Sequence, residues 1–251
     1  MKDSADAITT YFGRFPVARL RILIVEVPGE RIHGTTWGYR GAATRIRLGE
    51  RAQDKDVVQS WVLAHEMVHV SFPQIPDEQL WLEEGLATYV EPVARAQAGE
   101  ISAEDAWSQF LWGMPKGLPQ PGDRGLDNTH TWGRTYWGGA LFCLTADIDI
   151  RARTGNRRGL QDALRAIVEA GGNTESEWPV ARVLRVADEA AGVPVLAELY
   201  ERQRATPVTT DLDQLWQRLG VALRNGRMVF DDAAPLAGIG RAITRAPEAP
   251  R

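Results

Sequence analysis

The sequence predicts an α+β protein: a small mixed β-sheet near the N-terminus, one helix carrying the segment HEMVH, and a mainly α-helical remainder. Three observations predict it. Strand-like apolar runs are confined to the first fifty residues, whereas from there on the apolar residues recur every three to four positions. The chain of 251 residues, 44% hydrophobic and 25% charged, is also long enough for one large domain or for two lobes sharing a cleft.

From Arg19 to Val27 aliphatic and β-branched residues are dense, and Pro28-Gly29 ends the run. Between Thr44 and Leu48, Arg45, Ile46, Arg47 and Leu48 alternate with period two, and His33 to Tyr39 supplies a third strand. From about Asp56 the spacing of Val57, Trp61, Leu63, Ala64, Val68 and Phe72 is helical until Pro73. A second helix is expected after Pro76, with Asp77 as N-cap and Leu80, Trp81, Gly85, Leu86 and Tyr89 along it, ended or kinked at Pro92.

Ser102 followed by Asp105 signals a capped short helix through Trp112. Residues Gly113 to Gly125 hold three prolines and four glycines, which predicts a loop of unusual length. A long helix from near Thr131 to Arg153 follows. Further helices are expected around Leu160 to Ala170, Val180 to Ala191, Pro194 to Gln203 and Leu212 to Leu219, the last capped by Asp211. Beyond Arg224 the chain is rich in Gly, Pro and Ala, and loose packing is expected. The organisation read from this is a lobe over 1–98 with the sheet and the HEMVH helix, a helical lobe over 99–223 and a tail over 224–251.

Composition narrows the function. The 33 acidic and 29 basic residues are mixed along the chain with no block of like charge, which argues against a nucleic-acid partner. No apolar stretch approaches the eighteen or so residues of a membrane span. No signal peptide is seen in the first thirty residues, so the expectation is a cytoplasmic protein or a mature exported form. Cys143, the single cysteine, lies in the apolar run ALFCL and reads as a buried thiol.

The chemistry is concentrated in HEMVH, residues 65–69. One helical turn separates His65 from His69, so both imidazoles share a face and can reach one metal ion. Glu66, beside them, is placed to act as general base toward a water on that metal. Catalytic zinc takes a third protein ligand, and the next helix offers WLEEGLATYVE with Glu83 and Glu84 before Gly85. Adjacent helical carboxylates point about 100° apart, so one of the two faces the histidines.

HEMVH followed by WLEEGLATY resembles the gluzincin metallopeptidases, particularly the aminopeptidase N and glycyl aminopeptidase families. The resemblance implies a thermolysin-like catalytic lobe, one Zn2+ per chain and a peptide or protein substrate. It implies Glu84 as the third zinc ligand and Thr88 as a contact to a zinc histidine. Glu83 stands where Asn or Ser is usual. Downstream, TYWGGALFCLTADIDIRARTGNRRGLQDALRAI is similar to the segment carrying the families' oxyanion-stabilising tyrosine. Tyr136 matches that tyrosine and Gly139 its glycine, while Gly138 stands where Lys or Arg is usual. HGTTWG corresponds to the substrate strand, making Thr35, Thr36 and Trp37 candidate substrate contacts.

Two departures matter. Fourteen residues separate His69 from Glu84 where the aminopeptidase N pattern has eighteen, and Thr35 replaces the glutamate that anchors a free amine, so aminopeptidase specificity is not implied. His130, Trp132 and Trp137 are further candidates for lining the cleft. The expected activity is a zinc-dependent peptidase using His65, His69, Glu84, Glu66 and Tyr136. The alternatives are a catalytically silent binding or scaffold protein of the same fold, or a zinc hydrolase of a non-peptide substrate.

Overall fold

The structure, a computed structural model, describes residues 1–53 and 61–246. The chain opens with helix α1 (Lys2–Phe12), which precedes every element expected from the sequence; Ala7, Ile8, Tyr11 and Phe12 form its buried stripe. Strands β1 (Arg21–Val27), β2 (Ile32–Trp37) and β3 (Ala43–Gly49) follow. They make a mixed sheet of order β1-β3-β2, with β1 parallel to β3 and β2 antiparallel to it. Among the described residues β2 pairs only with β3, so its other edge is free to face the helices.

Helix α2 (Val62–Val70) carries the two-histidine motif; Val57 and the expected start near Asp56 lie outside the described residues. Helix α3 (Leu80–Gln97) departs from expectation at both ends. Asp77 makes no capping bond, because a 3-10 turn over Asp77–Gln79 winds the chain into the helix first. Pro92 does not end α3, since Val90 and Val93 on either side of it are fully buried and hold the helix together across the missing hydrogen bond. The last turn is secured where Gln97 Nε2 donates to the Ile243 carbonyl at 3.0 Å.

Ser102 and Asp105 form the expected reciprocal cap of α4 (Ala103–Gly113). The Gly113 to Gly125 stretch is packed rather than free: a 3-10 turn over Met114–Gly117 lies against the segment that carries Tyr136. That segment is not the start of one long α-helix. It is a π-helical turn (Gly133–Gly138) leading into α5 (Gly139–Arg153). Helices α6 (Leu160–Glu169), α7 (Val180–Ala191), α8 (Val195–Gln203) and α9 (Leu212–Leu219) match their expected positions, and Asp211 caps α9 by accepting from the Gln214 amide.

Up to residue 246 the segment after Arg224, expected to pack loosely, is ordered against the core, and the rest of the expected tail lies outside the described residues. Strands β4 (Val221–Arg224) and β5 (Arg227–Phe230) form a hairpin, and α10 (Ala237–Thr244) buries Ile239 and Ile243 in the common core. Gly and Ala in α10 permit close approach there: a Cβ on Gly240 would lie 3.1 Å from the Leu219 carbonyl.

One apolar core runs from α1 through α2, α3 and α5 to α10. Trp81, Tyr89, Phe110 and Phe142, all fully buried, anchor it; each such side chain contributes on the order of 1.5–3 kcal/mol. Helices α3 and α5 cross at glycines. A Cβ on Gly85 would lie 2.2 Å from the Gly139 Cα, and one on Gly139 would lie 2.0 Å from the Trp81 carbonyl. This crossing brings the α5 end of the π-turn directly beneath the residue that follows Glu84 in sequence. Cys143 is buried there, and burial pushes its thiol well above the usual range. No described helix is long and apolar enough to cross a membrane.

Candidate metal centre

Helix α2 places His65 and His69 on one buried face, their Nε2 atoms 3.3 Å apart. Glu84, in the second turn of α3, turns its Oε2 to 3.3 Å from His65 Nε2 and 3.4 Å from His69 Nε2. The three donors therefore form a nearly equilateral triangle. Donors about 2.0–2.1 Å from one zinc ion at tetrahedral angles stand about 3.3–3.4 Å apart, which is the spacing seen. Among the described residues this is the one cluster of three or more metal-binding side chains.

The electrostatics agree with a cation site. For Glu84, burial disfavours the charged form, but hydrogen bonds from His65 and His69 outweigh it and hold the carboxyl well below its usual range. Burial lowers His65. Burial also opposes protonation of His69, yet its contacts with Glu83 and Glu84 hold it well above the ordinary value. The cluster thus holds a positive charge between half-buried carboxylates, a role a divalent metal fills once both imidazoles are neutral. Glu83 sits on the far side, its Oε1 3.6 Å from His69 Nδ1, a buried nitrogen with no closer partner. A carboxylate behind a metal histidine orients the ring and raises its basicity.

Glu66 is held by the sheet. Thr36 Oγ1, on β2, lies 2.7 Å from Glu66 Oε2, 3.1 Å from the Glu66 carbonyl and 2.9 Å from Thr44 Oγ1. A hydroxyl has one hydrogen, and the carboxylate is its strongest acceptor, so Thr44 donates to Thr36 and Thr36 to Glu66. Gly34 makes room for this carboxylate: a Cβ there would lie 2.2 Å from Glu66 Cγ.

The metal cleft is lined by β2 from Ile32 to Thr36, by α2 and by Glu83, Glu84 and Tyr136. The Tyr136 ring is stacked with His65 at 6.3 Å between centroids. Burial, then the Glu84 carboxylate, raises its phenol well above the usual range, so it keeps its proton and can donate it. The π-turn that carries Tyr136 is fastened from below by Arg134, which donates to the Gly117 carbonyl at 2.5 Å and pairs with buried Asp123 at 2.7 Å.

Other expected residues fall differently. Thr35 lines the cleft, Thr36 is turned to Glu66, and Trp37 is half-buried outside the lining of the cleft. Thr88, expected to contact a zinc histidine, instead donates to the Glu84 carbonyl at 2.8 Å, the ordinary back-bond of a helical threonine. His130 is exposed and lines neither the cleft nor the cavity beside it, whereas Trp132 and Trp137 line that cavity. The supporting roles of Gly34, Thr44 and Glu83 depend on contacts across the fold, and only the position of Glu83 beside the ligand carried a local signal.

No family model matches the sequence, and no curated protein matches it. Solved structures do. An aminopeptidase N family protein from Idiomarina loihiensis superposes with a TM-score of 0.64 at 16% identity, over 93% of this chain and 47% of that one. A two-domain M1 zinc metallopeptidase variant bound to L-arginine gives 0.54 at 16% identity, over 82% of this chain and 45% of that one. The chain spans about half the length of these relatives. It has the fold of the M1, aminopeptidase N type of zinc metallopeptidase and, in His65, His69 and Glu84, the donor set of the gluzincins.

Proposed function

We propose that the chain is a zinc-dependent peptidase. The observation that carries this is the near-equilateral His65, His69, Glu84 triangle with a hydrogen-bonded Glu66 beside it in an open cleft. Zinc held by these three residues would supply a Lewis acid and a water acidified toward neutrality. Glu66 Oε2 is engaged by Thr36, so Oε1 is the atom left to accept a proton from the attacking water and pass it to the leaving amine. Tyr136, kept protonated by burial and by Glu84, donates to the oxygen on which negative charge develops.

The free edge of β2 supports a peptide as the substrate, because an extended backbone can hydrogen-bond along it beside the cleft. Thr35, Thr36 and Trp37 are the strand positions such a backbone would meet. A binding-only protein has no need of a carboxylate held as Glu66 is. Glu66→Gln is expected to keep its zinc and to lose at least about a hundredfold in turnover on a peptide library. A zinc-bearing Glu66→Gln variant with undiminished cleavage would overturn this assignment.

A further inference from the structure

Beside the metal cleft lies a cavity of about 440 Å³, within the size range of ligand sites. The two are continuous: His33, Trp61, His65 and Tyr136 line both. The far wall is built from three more tryptophans, Trp112 on α4 and Trp132 and Trp137 at the π-turn. Trp61, Trp112 and Trp132 are 50%, 66% and 58% exposed, an arrangement that leaves large apolar rings in water around one opening. They are nevertheless held in place by ring contacts. Trp112 meets Trp137 edge-on at 6.1 Å, Trp132 stacks on Tyr136 at 6.0 Å, and Trp61 meets His65 edge-on at 5.1 Å.

We propose that this cavity receives an uncharged aromatic side chain from the peptide residue adjoining the bond cleaved at the metal centre. The proposal rests on the peptidase reading and adds to it the class of side chain selected. Continuity with the cleft fixes the occupant as part of whatever lies at the metal. The tryptophan faces favour an aromatic ring, by stacking and edge contacts.

Charge decides against the alternatives. Among the described residues Glu91, on α3, is the one carboxylate lining the cavity, and its Oε1 already accepts from Arg95 at 2.6 Å. Arg95 in turn donates to Glu100 at 2.8 Å. Burial, against the pull of Arg95, pushes Glu91 up to about 7, which further removes free negative charge from the site. The Lys116 ammonium lies over the Trp112 ring. A lysine or arginine side chain entering here meets a carboxylate already paired and an ammonium already on the aromatic face. An acidic side chain loses its water among indole faces, with no described lysine or arginine in the lining to pair with it.

The test measures binding, so that it does not depend on turnover. Zinc-loaded protein is titrated by calorimetry with two sets of peptidyl hydroxamates, whose chelating group sits at the metal. Phenylalanine, alanine, lysine or glutamate flanks that group on the acyl side in one set and on the amine side in the other. In one of the two sets phenylalanine is expected to bind at least about tenfold more tightly than the other three. Trp132→Ala, a substitution at an exposed side chain, is expected to reduce that preference below about threefold. Equal affinities in both sets, or a preference for lysine or glutamate, overturns the pocket assignment and leaves the peptidase reading standing. Failure of every hydroxamate to bind overturns both.

Discussion

At the scale of single residues the centre depends on side chains that touch neither metal nor substrate. Thr36 fixes which oxygen of Glu66 is free, and Thr44 fixes the direction of the Thr36 hydrogen. Thr36→Val keeps the shape and removes the bond, so turnover is expected to fall roughly 10- to 100-fold at unchanged zinc content, with Thr36→Ser restoring most of it. Undiminished turnover in the valine variant would remove Thr36 from the site. Glu91 gives a pH signature. Its carboxyl sits at about 7 when folded against a reference value of 4.5, because burial disfavours its charge. A raised folded value means that the protonated form is favoured by folding, so the contribution to stability is full below about 4.5 and is lost as the pH rises through about 7. The Tm of wild type relative to Glu91→Gln should therefore fall between pH 5 and pH 8, and a constant difference would contradict this account. The histidine pair and Glu66 were legible in the sequence because helical spacing is local; the hold of Thr36, singled out only as a substrate contact, on Glu66 and the parts played by Gly34 and Glu91 were not, because their partners are fixed by sheet register and helix packing.

At the scale of elements, three pieces meet at the centre. β2 presents Gly34 and Thr36 to α2, α2 and α3 bring together the three metal donors, and the π-turn delivers Tyr136 from the other side. The glycine crossing of α3 and α5 holds the last two in register, which explains glycine at Gly85 and Gly139 without any part in the chemistry. Gly85→Ala puts a methyl against backbone, so a destabilisation of about 1–3 kcal/mol and a fall in Tm of several degrees are expected, with weaker zinc retention through the neighbouring Glu84. A Tm within about 1 °C of wild type would show that the crossing tolerates separation. Sequence signals read the helix ends well where a side chain caps them, as at Ser102 and Asp211. They misled where packing overrides local preference, as in the continuation of α3 through Pro92 and the wide turn at Gly133–Gly138.

At the scale of the molecule the two-histidine helix and the helical remainder share one core, against which β1 packs through Ile22, with the two metal histidines buried, Glu84 half-buried and the cleft open to solvent between β2 and Tyr136. The α+β division and the histidine pair were readable from periodicity and motif, and Glu84 was singled out by the family resemblance, whereas α1 and the ordered hairpin and helix after Arg224 were not legible. Their apolar residues are few and spaced over short elements, so only contact with the rest of the core defines them, as where Gln161 and Arg165 of α6 donate to the Tyr11 carbonyl at the end of α1. Everything in this account depends on α2 and α3 jointly holding one ion. The direct measurement is zinc content by elemental mass spectrometry, for wild type and Glu84→Ala prepared side by side. The structure predicts about one zinc per chain in the wild type and a sharp loss in the variant. No zinc in the wild type after supplementation, or an undiminished amount in Glu84→Ala, would contradict it.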